Sequence, residues 1–292
     1  MCRLFGMTTG GPRVEAAFWL LDAPQSLAEQ SRRMPHGVGL GWFSLGDEPV
    51  RDRAPLPAYE NTDFARAARH IVSHTFVSHI RYASTGAVNV HNCHPFDMYD
   101  RLFAHNGVVK GLDVLDTWLT DVDRALIEGQ TDSERVFAYI TAEIRRHGDT
   151  TTGLIEAIRR IADSLPLYSV NLLLAEANKI WALRYPESNE LWALPPKGAD
   201  VGGSHGAVRH LASPHEPGSV DLSTVGGPSV PAYVVASEPM DDDPGWRLLE
   251  PGELLVIDGL KEESLFPFDR PRHQLTEADL TAAEAASQEH AV

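Results

Sequence analysis

The residue best suited to do chemistry is Cys2, the second residue of the chain. If Met1 is removed, Cys2 carries a thiol and an α-amine on the same residue. The thiol titrates near pH ~8.5 and the amine near pH ~7.7–8.0, so the amine can act as the base for its own thiol at neutral pH. A single cysteine is a weak motif, and a residue that only packs in a strand explains Cys2 as well.

Asn106 and Gly107 form a second candidate pair, in the segment FAHNGVV at 103–109. An asparagine amide beside a glycine backbone N–H offers two donors to a developing oxyanion, and glycine permits close approach. The alternative for an Asn-Gly pair is an ordinary hairpin turn.

Two charged residues could recognise a free amino acid head group. Arg81, in HIRYASTG at 79–86, could hold a carboxylate with two hydrogen bonds, or could form a surface salt bridge. Asp132, in GQTDSE at 129–134, could pair with an ammonium group. Its alternative is an acidic residue in the first turn of a capped helix.

These residues must be positioned by surrounding strands and helices. Hydrophobic periodicity, turn residues and caps predict the strands and helices given at the end of this paragraph. Thr131 and Glu134 form a Thr-x-x-Glu capping box that begins the third helix. Clustered strands and helices favour an α+β fold over a doubly wound parallel sheet. The predicted strands are 2–7, 75–80, 101–105, 169–175, 179–184, 232–236 and 253–257, and the helices are 14–21, 62–73, 131–144 and 152–164.

Three other regions are less regular. Glycines at 37, 39 and 41 predict a strand that passes close to another backbone or to a ligand. Residues 195–231 predict a long irregular insertion, in which His205, His210 and His215 are expected to be exposed. The tail from 276 is rich in Ala and Glu and predicts a terminal helix or a frayed end.

Taken in order, MCRLFG, HIRYASTG, AHNG and GQTDSE resemble the class II (N-terminal nucleophile) glutamine amidotransferases, specifically their small stand-alone type. The resemblance runs by motif from Cys2 to about Ile144, and more faintly through 236–258. It implies a four-layer αββα sandwich of two antiparallel sheets flanked by helices. It also implies one domain over 2–275, interrupted by the insertion and followed by a tail at 276–292.

The resemblance also implies roles for the candidate residues. Cys2 would attack the side-chain amide of glutamine or of another γ-glutamyl amide, with its α-amine as the base, and Asn106 and Gly107 would hold the oxyanion. Arg81 would bind the substrate carboxylate and Asp132 the ammonium group. The pocket would be shaped by Tyr82, Ser84 and Thr85.

The expected reaction is hydrolysis of glutamine to glutamate and ammonia through a thioester. Only about 35 residues follow Ile257, too few for a synthase domain, so ammonia would pass to a separate subunit or hydrolysis would itself be the function. Two alternatives are a dedicated γ-glutamyl amide hydrolase, as in ergothioneine assembly, and a non-catalytic regulatory subunit that keeps the fold.

His36-Gly37 departs from the family pattern, because small stand-alone members usually carry Asp-Gly there. If that acid matters for the substrate or for the Cys2 amine, His36 is expected to change specificity or pH dependence. It does not predict a loss of activity.

A metal or cofactor is not expected. His91, Cys93 and His94 lie within four residues, but structural zinc needs a second cluster of ligands, and the sequence offers none at suitable spacing. A phosphate-binding Walker loop and a dinucleotide fingerprint are also lacking.

Composition limits the class of protein and the partners that it can bind. Of 292 residues, 43% are hydrophobic and 23% are charged, as in ordinary globular proteins. A net charge of −16 argues against binding to nucleic acid or anionic membranes. Two cysteines are too few for a disulfide framework, and the sequence contains neither a secretory signal nor a hydrophobic span, so we expect a cytoplasmic protein.

Overall fold

Two antiparallel β-sheets pack face to face in the computed structural model, which describes residues 2–196 and 230–288. The strands follow in chain order: β1 (Arg3–Thr8), β2 (Val38–Phe43), β3 (Pro49–Ala54), β4 (Thr75–Ile80), β5 (Phe96–Met98), β6 (Arg101–Val109), β7 (Leu167–Glu176), β8 (Lys179–Leu183), β9 (Trp192–Leu194), β10 (Tyr233–Ala236), β11 (Arg247–Leu248), β12 (Leu254–Asp258) and β13 (Lys261–Leu265). The first sheet has the order β11-β9-β10-β1-β4-β2-β3, and the second has β13-β12-β8-β7-β6-β5.

Helices cover the outer face of each sheet. They are α1 (Leu27–Gln30), α2 (Thr62–His70), α3 (Leu112–Trp118), α4 (Asp121–Arg124), α5 (Asp132–His147), α6 (Thr150–Ser164) and α7 (Ala282–Gln288). One apolar cluster joins α1, α2 and a π-helical turn at Phe18–Asp22 to the first sheet, and another joins α3, α5 and α6 to the second. A third cluster lies between the sheets. The predicted α+β fold with two antiparallel sheets flanked by helices is therefore confirmed.

Alternation along the strands decides which residues meet between the sheets. Val77 of β4 and Ala104 of β6 belong to the inner cluster, whereas their neighbours Phe76 and Phe103 face the helices. Successive side chains of a strand point to opposite faces, so positions two residues further along these strands also point inward. His79 and Asn106 occupy those positions.

The glycines of β2 fulfil the predicted close approach. Gly39 and Gly41 share one face of β2, Gly37 directly precedes the strand, and the segment at 93–95 lies directly against all three. A Cβ at Gly39 would collide with the backbone oxygen of His94, and one at Gly41 would lie 2.8 Å from a carbon of Pro95. The glycines therefore let this segment pass between the sheets.

Several predicted elements differ at their ends. The helix expected over 14–21 is only the turn Phe18–Asp22, because the backbone of Val14 exchanges two hydrogen bonds of 3.0 Å with Ser73. The same pairing explains why α2 ends at His70 instead of reaching 73. Tertiary pairing thus overrides the local helical pattern.

The capping box at α5 is half formed. The Thr131 hydroxyl accepts a hydrogen bond from the Glu134 backbone N–H at 3.2 Å. The Glu134 carboxylate does not return to Thr131; it accepts from the backbone N–H groups of Glu128 and Gly129 at 2.9 and 2.6 Å. It therefore fixes the loop that leads into the helix.

The remaining regions are the insertion and the tail. Most of the predicted insertion over 195–231, with His205, His210 and His215, lies outside the described residues. The tail forms α7, which Gln288 ties to the fold by accepting a 2.7 Å hydrogen bond from Asn189. In the described ranges, no helix is both long and apolar enough to cross a membrane.

Candidate active site

Cys2 lies just before β1, the strand that β10 and β4 flank in the first sheet. Its side chain is buried, and its thiol forms hydrogen bonds with both the backbone N–H and the backbone carbonyl oxygen of Tyr82. The Tyr82 N–H donates to Cys2 Sγ at 3.2 Å, and the thiol donates to the Tyr82 carbonyl oxygen at 3.5 Å. The residue after Arg81 therefore holds the sulfur in place.

The electrostatic environment keeps this thiol protonated. Burial raises the pKa of Cys2, while the Tyr82 backbone N–H and the charges of Arg81 and Arg3 act in the opposite direction. A buried neutral thiol is a weak nucleophile until a base removes its proton. For Cys2 to act as a nucleophile, a base would have to lie close to the sulfur.

Asn106 meets Cys2 from the second sheet. Its side-chain Nδ2 donates a hydrogen bond of 3.0 Å to the Cys2 carbonyl oxygen. Its Oδ1 is buried and has no hydrogen-bond partner within the described residues. Because Cys2 leads into the first sheet and Asn106 lies in the second, this contact joins the two sheets at the Cys2 backbone.

Gly107 lies next to Asn106, inside β6. A Cβ there would collide with the backbone oxygen of Ser169 on β7, so only glycine fits. Both residues pair with β7 within a continuous strand, with Asn106 opposite Asn171. The hairpin-turn interpretation of Asn-Gly is therefore wrong.

Arg81 directly follows β4 and is only 4% exposed. Its guanidinium donates to the carbonyl oxygens of Ala87, Thr85 and Gly86 at 3.2, 2.6 and 3.4 Å. It makes no ion pair within 2–196 and 230–288, so the surface salt bridge is also wrong. Burial lowers the pKa of Arg81, and the thiols of Cys93 and Cys2 and the carboxylate of Asp132 oppose that shift.

Asp132 is the first residue of α5 and is buried. Its Oδ2 accepts a 3.0 Å hydrogen bond from the Val109 backbone N–H, at the end of the strand that carries Asn106. The helix N-terminus favours its negative charge. Like Arg81, it makes no ion pair among the described side chains, although the two buried groups are close enough to interact electrostatically.

The predicted pocket residues lie in the loop after Arg81. Tyr82, Ser84 and Thr85 are all partly exposed. Tyr82 contacts Cys2 through its backbone, and the Thr85 carbonyl oxygen accepts from Arg81. Ser84 makes no hydrogen bond within the part of the chain that the structure describes.

Asn92 is a site residue that the sequence did not reveal. It is fully buried, and its Nδ2 donates to the Ala87 carbonyl oxygen at 2.9 Å. Its Oδ1 accepts from the Gln130 backbone N–H at 2.8 Å. Asn92 thus ties the loop that holds Arg81 to the segment that begins the helix of Asp132. Its position in the polar run HNCHPF was the only available signal.

Buried histidines are a second feature that the sequence did not reveal. His79 and His94 pack with ring centroids 4.3 Å apart, and none of their ring nitrogens has a hydrogen-bond partner within the described residues. Burial lowers the pKa of His79 to about 3, and it lowers that of His94 as well. His105 donates or accepts at 2.9 Å with Ser133 and is also buried with a lowered pKa.

The run His91, Cys93 and His94 does not converge on one point. His91 is exposed near Glu128, Cys93 donates to backbone oxygens, and His94 packs on His79. Within residues 2–196 and 230–288, no three His, Cys, Asp or Glu side chains are arranged to hold a metal ion.

Comparison with solved structures defines the class of fold. A glutamine aminotransferase class-II domain protein from Silicibacter pomeroyi superposes with a TM-score of 0.61, at 21% identity, over 91% of this chain and 99% of that one. Glutamine phosphoribosylpyrophosphate amidotransferase from B. subtilis gives a TM-score of 0.61 at 16% identity, over 91% of this chain and 49% of that one. This chain therefore has the same αββα sandwich fold as these two proteins.

Sequence comparison then gives the family. The family model for class II glutamine amidotransferases matches residues 1–279, and the chain belongs to this family. A curated relative, gamma-glutamyl-hercynylcysteine sulfoxide hydrolase of Mycobacterium tuberculosis, is 28% identical over 84% of this chain and 88% of its own. The family and the names of its members indicate amidohydrolase or amidotransferase activity.

Proposed function

We propose that this protein hydrolyses the side-chain amide of glutamine, through a thioester on Cys2, to glutamate and ammonia. The observation that carries the proposal is the hydrogen bond from Asn106 Nδ2 to the Cys2 carbonyl oxygen. It brings an amide donor of the second sheet to the nucleophile of the first. The oxyanion that forms beside the sulfur would find that donor already in place.

The proposed reaction begins once Met1 has been removed. The α-amine of Cys2 takes the thiol proton, and the sulfur attacks the amide carbon. The oxyanion is held by the Asn106 amide and the Gly107 N–H. The amine then returns the proton to the leaving nitrogen as the C–N bond breaks and ammonia departs. Water, activated by the same amine, attacks the thioester and releases glutamate and the free thiol.

Recognition of the substrate head group is assigned to the two buried charges. Arg81 would bind the α-carboxylate and Asp132 the α-ammonium, because neither has an ion-pair partner among the described residues. Tyr82, Ser84 and Thr85 would line the approach. A buried charge that gains a partner on binding gives strong selectivity, so ordinary peptide amides would be excluded.

A second candidate is a dedicated γ-glutamyl amide hydrolase. It is favoured by the similarity to the mycobacterial sulfoxide hydrolase, which extends over most of both chains. The same residues would cleave the same bond, with a larger leaving amine. If glutamine is the substrate, the ammonia either is the end product or passes to a synthase subunit.

We further propose a reducing, cytoplasmic setting for the reaction. Cys2 and Cys93 are both free thiols. The chemistry requires Cys2 in its reduced form.

The test uses an electrophilic diazoketone analogue of glutamine. Intact mass is measured before and after labelling for the wild type, Cys2→Ala and Cys93→Ala. We expect the unlabelled protein to lack Met1, and we expect one label on the wild type and on Cys93→Ala and none on Cys2→Ala. A retained Met1, or equal labelling of Cys2→Ala, would contradict the proposal.

Kinetics then separate the two substrates. Release of amine is measured with glutamine and with a panel of γ-glutamyl amides, and kcat/KM is compared. A value for a larger amide at least about a hundredfold above that for glutamine would favour the dedicated hydrolase.

A further inference from the structure

His36 and Gly37 stand where the resemblance leads us to expect an Asp-Gly pair. His36 precedes β2, and its backbone N–H donates to the Arg81 carbonyl oxygen at 3.1 Å. The Arg81 N–H in turn donates to the Gly37 carbonyl oxygen at 2.8 Å. The backbone of residue 36 is therefore fixed beside the residue after β4.

The imidazole ring reaches the two residues that follow Arg81. Its Nδ1 accepts a hydrogen bond of 3.0 Å from the Ala83 backbone N–H. Its ring packs on that of Tyr82, with centroids 4.7 Å apart and planes at 59°. One side chain thus contacts the ring of Tyr82 and the N–H of the Tyr82–Ala83 peptide unit, and the carbonyl oxygen of that unit accepts from the Cys2 thiol.

We propose that His36 is a positioning residue, which holds the Tyr82–Ala83 backbone against the Cys2 thiol and releases it in acid. This inference rests on the proposed function of Cys2. Nδ1 can accept from Ala83 only while it carries no proton, because both ring nitrogens of an imidazolium are donors. Protonation therefore replaces an attraction with a repulsion at Ala83.

The surroundings keep the accepting form dominant at neutral pH. Arg81 and Tyr82 face the ring from the segment after β4, with the Cys2 thiol behind Tyr82, and the Cys93 thiol lies over the neighbouring Gly37. No carboxylate bonds to the ring within the described residues. Partial burial and the Arg81 charge lower the pKa of His36, so the contact is lost only below about pH 6.5.

Two variants separate the hydrogen bond from the ring. His36→Asn places an amide oxygen where Nδ1 lies, so it keeps the acceptor but cannot titrate. His36→Phe keeps a ring against Tyr82 but has no acceptor. The pH dependence of kcat/KM for glutamine, and of labelling of Cys2 by the diazoketone, is measured between pH 5 and 8.5, with the melting temperature of each variant.

In the wild type, log kcat/KM should fall in acid with a slope clearly between about 1 and 2 where His36 titrates, since the Cys2 amine and His36 both take protons. His36→Asn should fall with a slope of about 1. His36→Phe should also show a slope of about 1, and its rate at pH 8 should be about tenfold lower. A merely structural role would shift the melting temperature and leave the slope unchanged.

Two outcomes are distinguishable. If the wild type is labelled at Cys2 but all three proteins share one slope, the role of His36 is overturned and the proposed function stands. If the wild type is not labelled at Cys2, the proposed function fails, and the role of His36 fails with it.

Discussion

The space between the two sheets has an apolar half and a polar half, built from the same strands. In the apolar half lie Leu4, Val77, Ala104 and Leu173. Two positions away from each of these residues along the chain, the next side chain that points inward is polar. These four residues are Cys2, His79, Asn106 and Asn171. Because alternate residues share a face, this step changes the chemistry of the interior without changing the fold.

The two halves are expected to serve different purposes. Close packing of apolar groups stabilises the first, whereas the second buries polar atoms, some of which have no hydrogen-bond partner in the described part of the chain. Buried polar groups of that kind cost stability and are typical of functional sites. Substitutions in the apolar half should therefore change the free energy of unfolding, and those in the polar half should change the rate.

The largest effect is expected in the apolar half. Leu173 is fully buried, so Leu173→Ala should lower the free energy of unfolding by about 2–5 kcal/mol. Labelling of Cys2 should keep its rate while the protein is folded. Leu45→Ala, at a position 86% exposed, is the control and should change stability by less than about 0.5 kcal/mol. Urea unfolding measures both; a slower labelling rate in folded Leu173→Ala would break the distinction between the halves.

The matching change in the polar half is Asn106→Ala. Loss of an oxyanion donor should lower kcat by about 10²–10³, while loss of its bond to Cys2 should cost only about 1 kcal/mol of stability. Steady-state kinetics and urea unfolding separate the two effects. The exposed Asn178→Ala is the control. A kcat within about threefold of wild type would remove Asn106 from the proposed mechanism.

The sequence predicts part of the polar half, but not its buried histidines or the contacts that join the loops around it. The observed ends of β4 agree with the prediction, since Thr75–Ile80 is a short run of residues that favour strands, and the Asn106 amide does lie against Cys2. The hydrogen bonds from the Asn92 side chain to Ala87 and Gln130 could not be predicted. They join two loops that come into contact only when both sheets have formed. The Val14–Ser73 pairing that shortens two helices is equally non-local.

A third change tests how the segment at 93–95 covers the polar half. A Cβ at Gly39 would collide with the His94 backbone oxygen, so Gly39→Ala should cost about 1–3 kcal/mol and lower kcat as well. Gly46→Ala is the matched control, because the nearest atom to its Cβ would be Ser44 Oγ at 3.8 Å. Urea unfolding compares the two; equal stabilities would show that the segment can move away at no cost.

The smallest effect concerns pH and the neutral histidines of the polar half. Burial lowers the pKa of His79 from 6.5 to about 3, so the unfolded chain binds a proton between these values and the folded protein does not. The stability that His79 contributes is therefore complete above pH 6.5 and is lost as the pH falls toward 3, by about 1.4 kcal/mol per pH unit.

In His79→Leu, the free energy of unfolding should fall less steeply between pH 6.5 and 4.5 by up to that amount per pH unit. The exposed His70→Gln should keep the wild-type slope. Urea unfolding at several pH values measures the slopes, and parallel curves for His79→Leu and the wild type would mean that water reaches His79 and that the polar half is not dry.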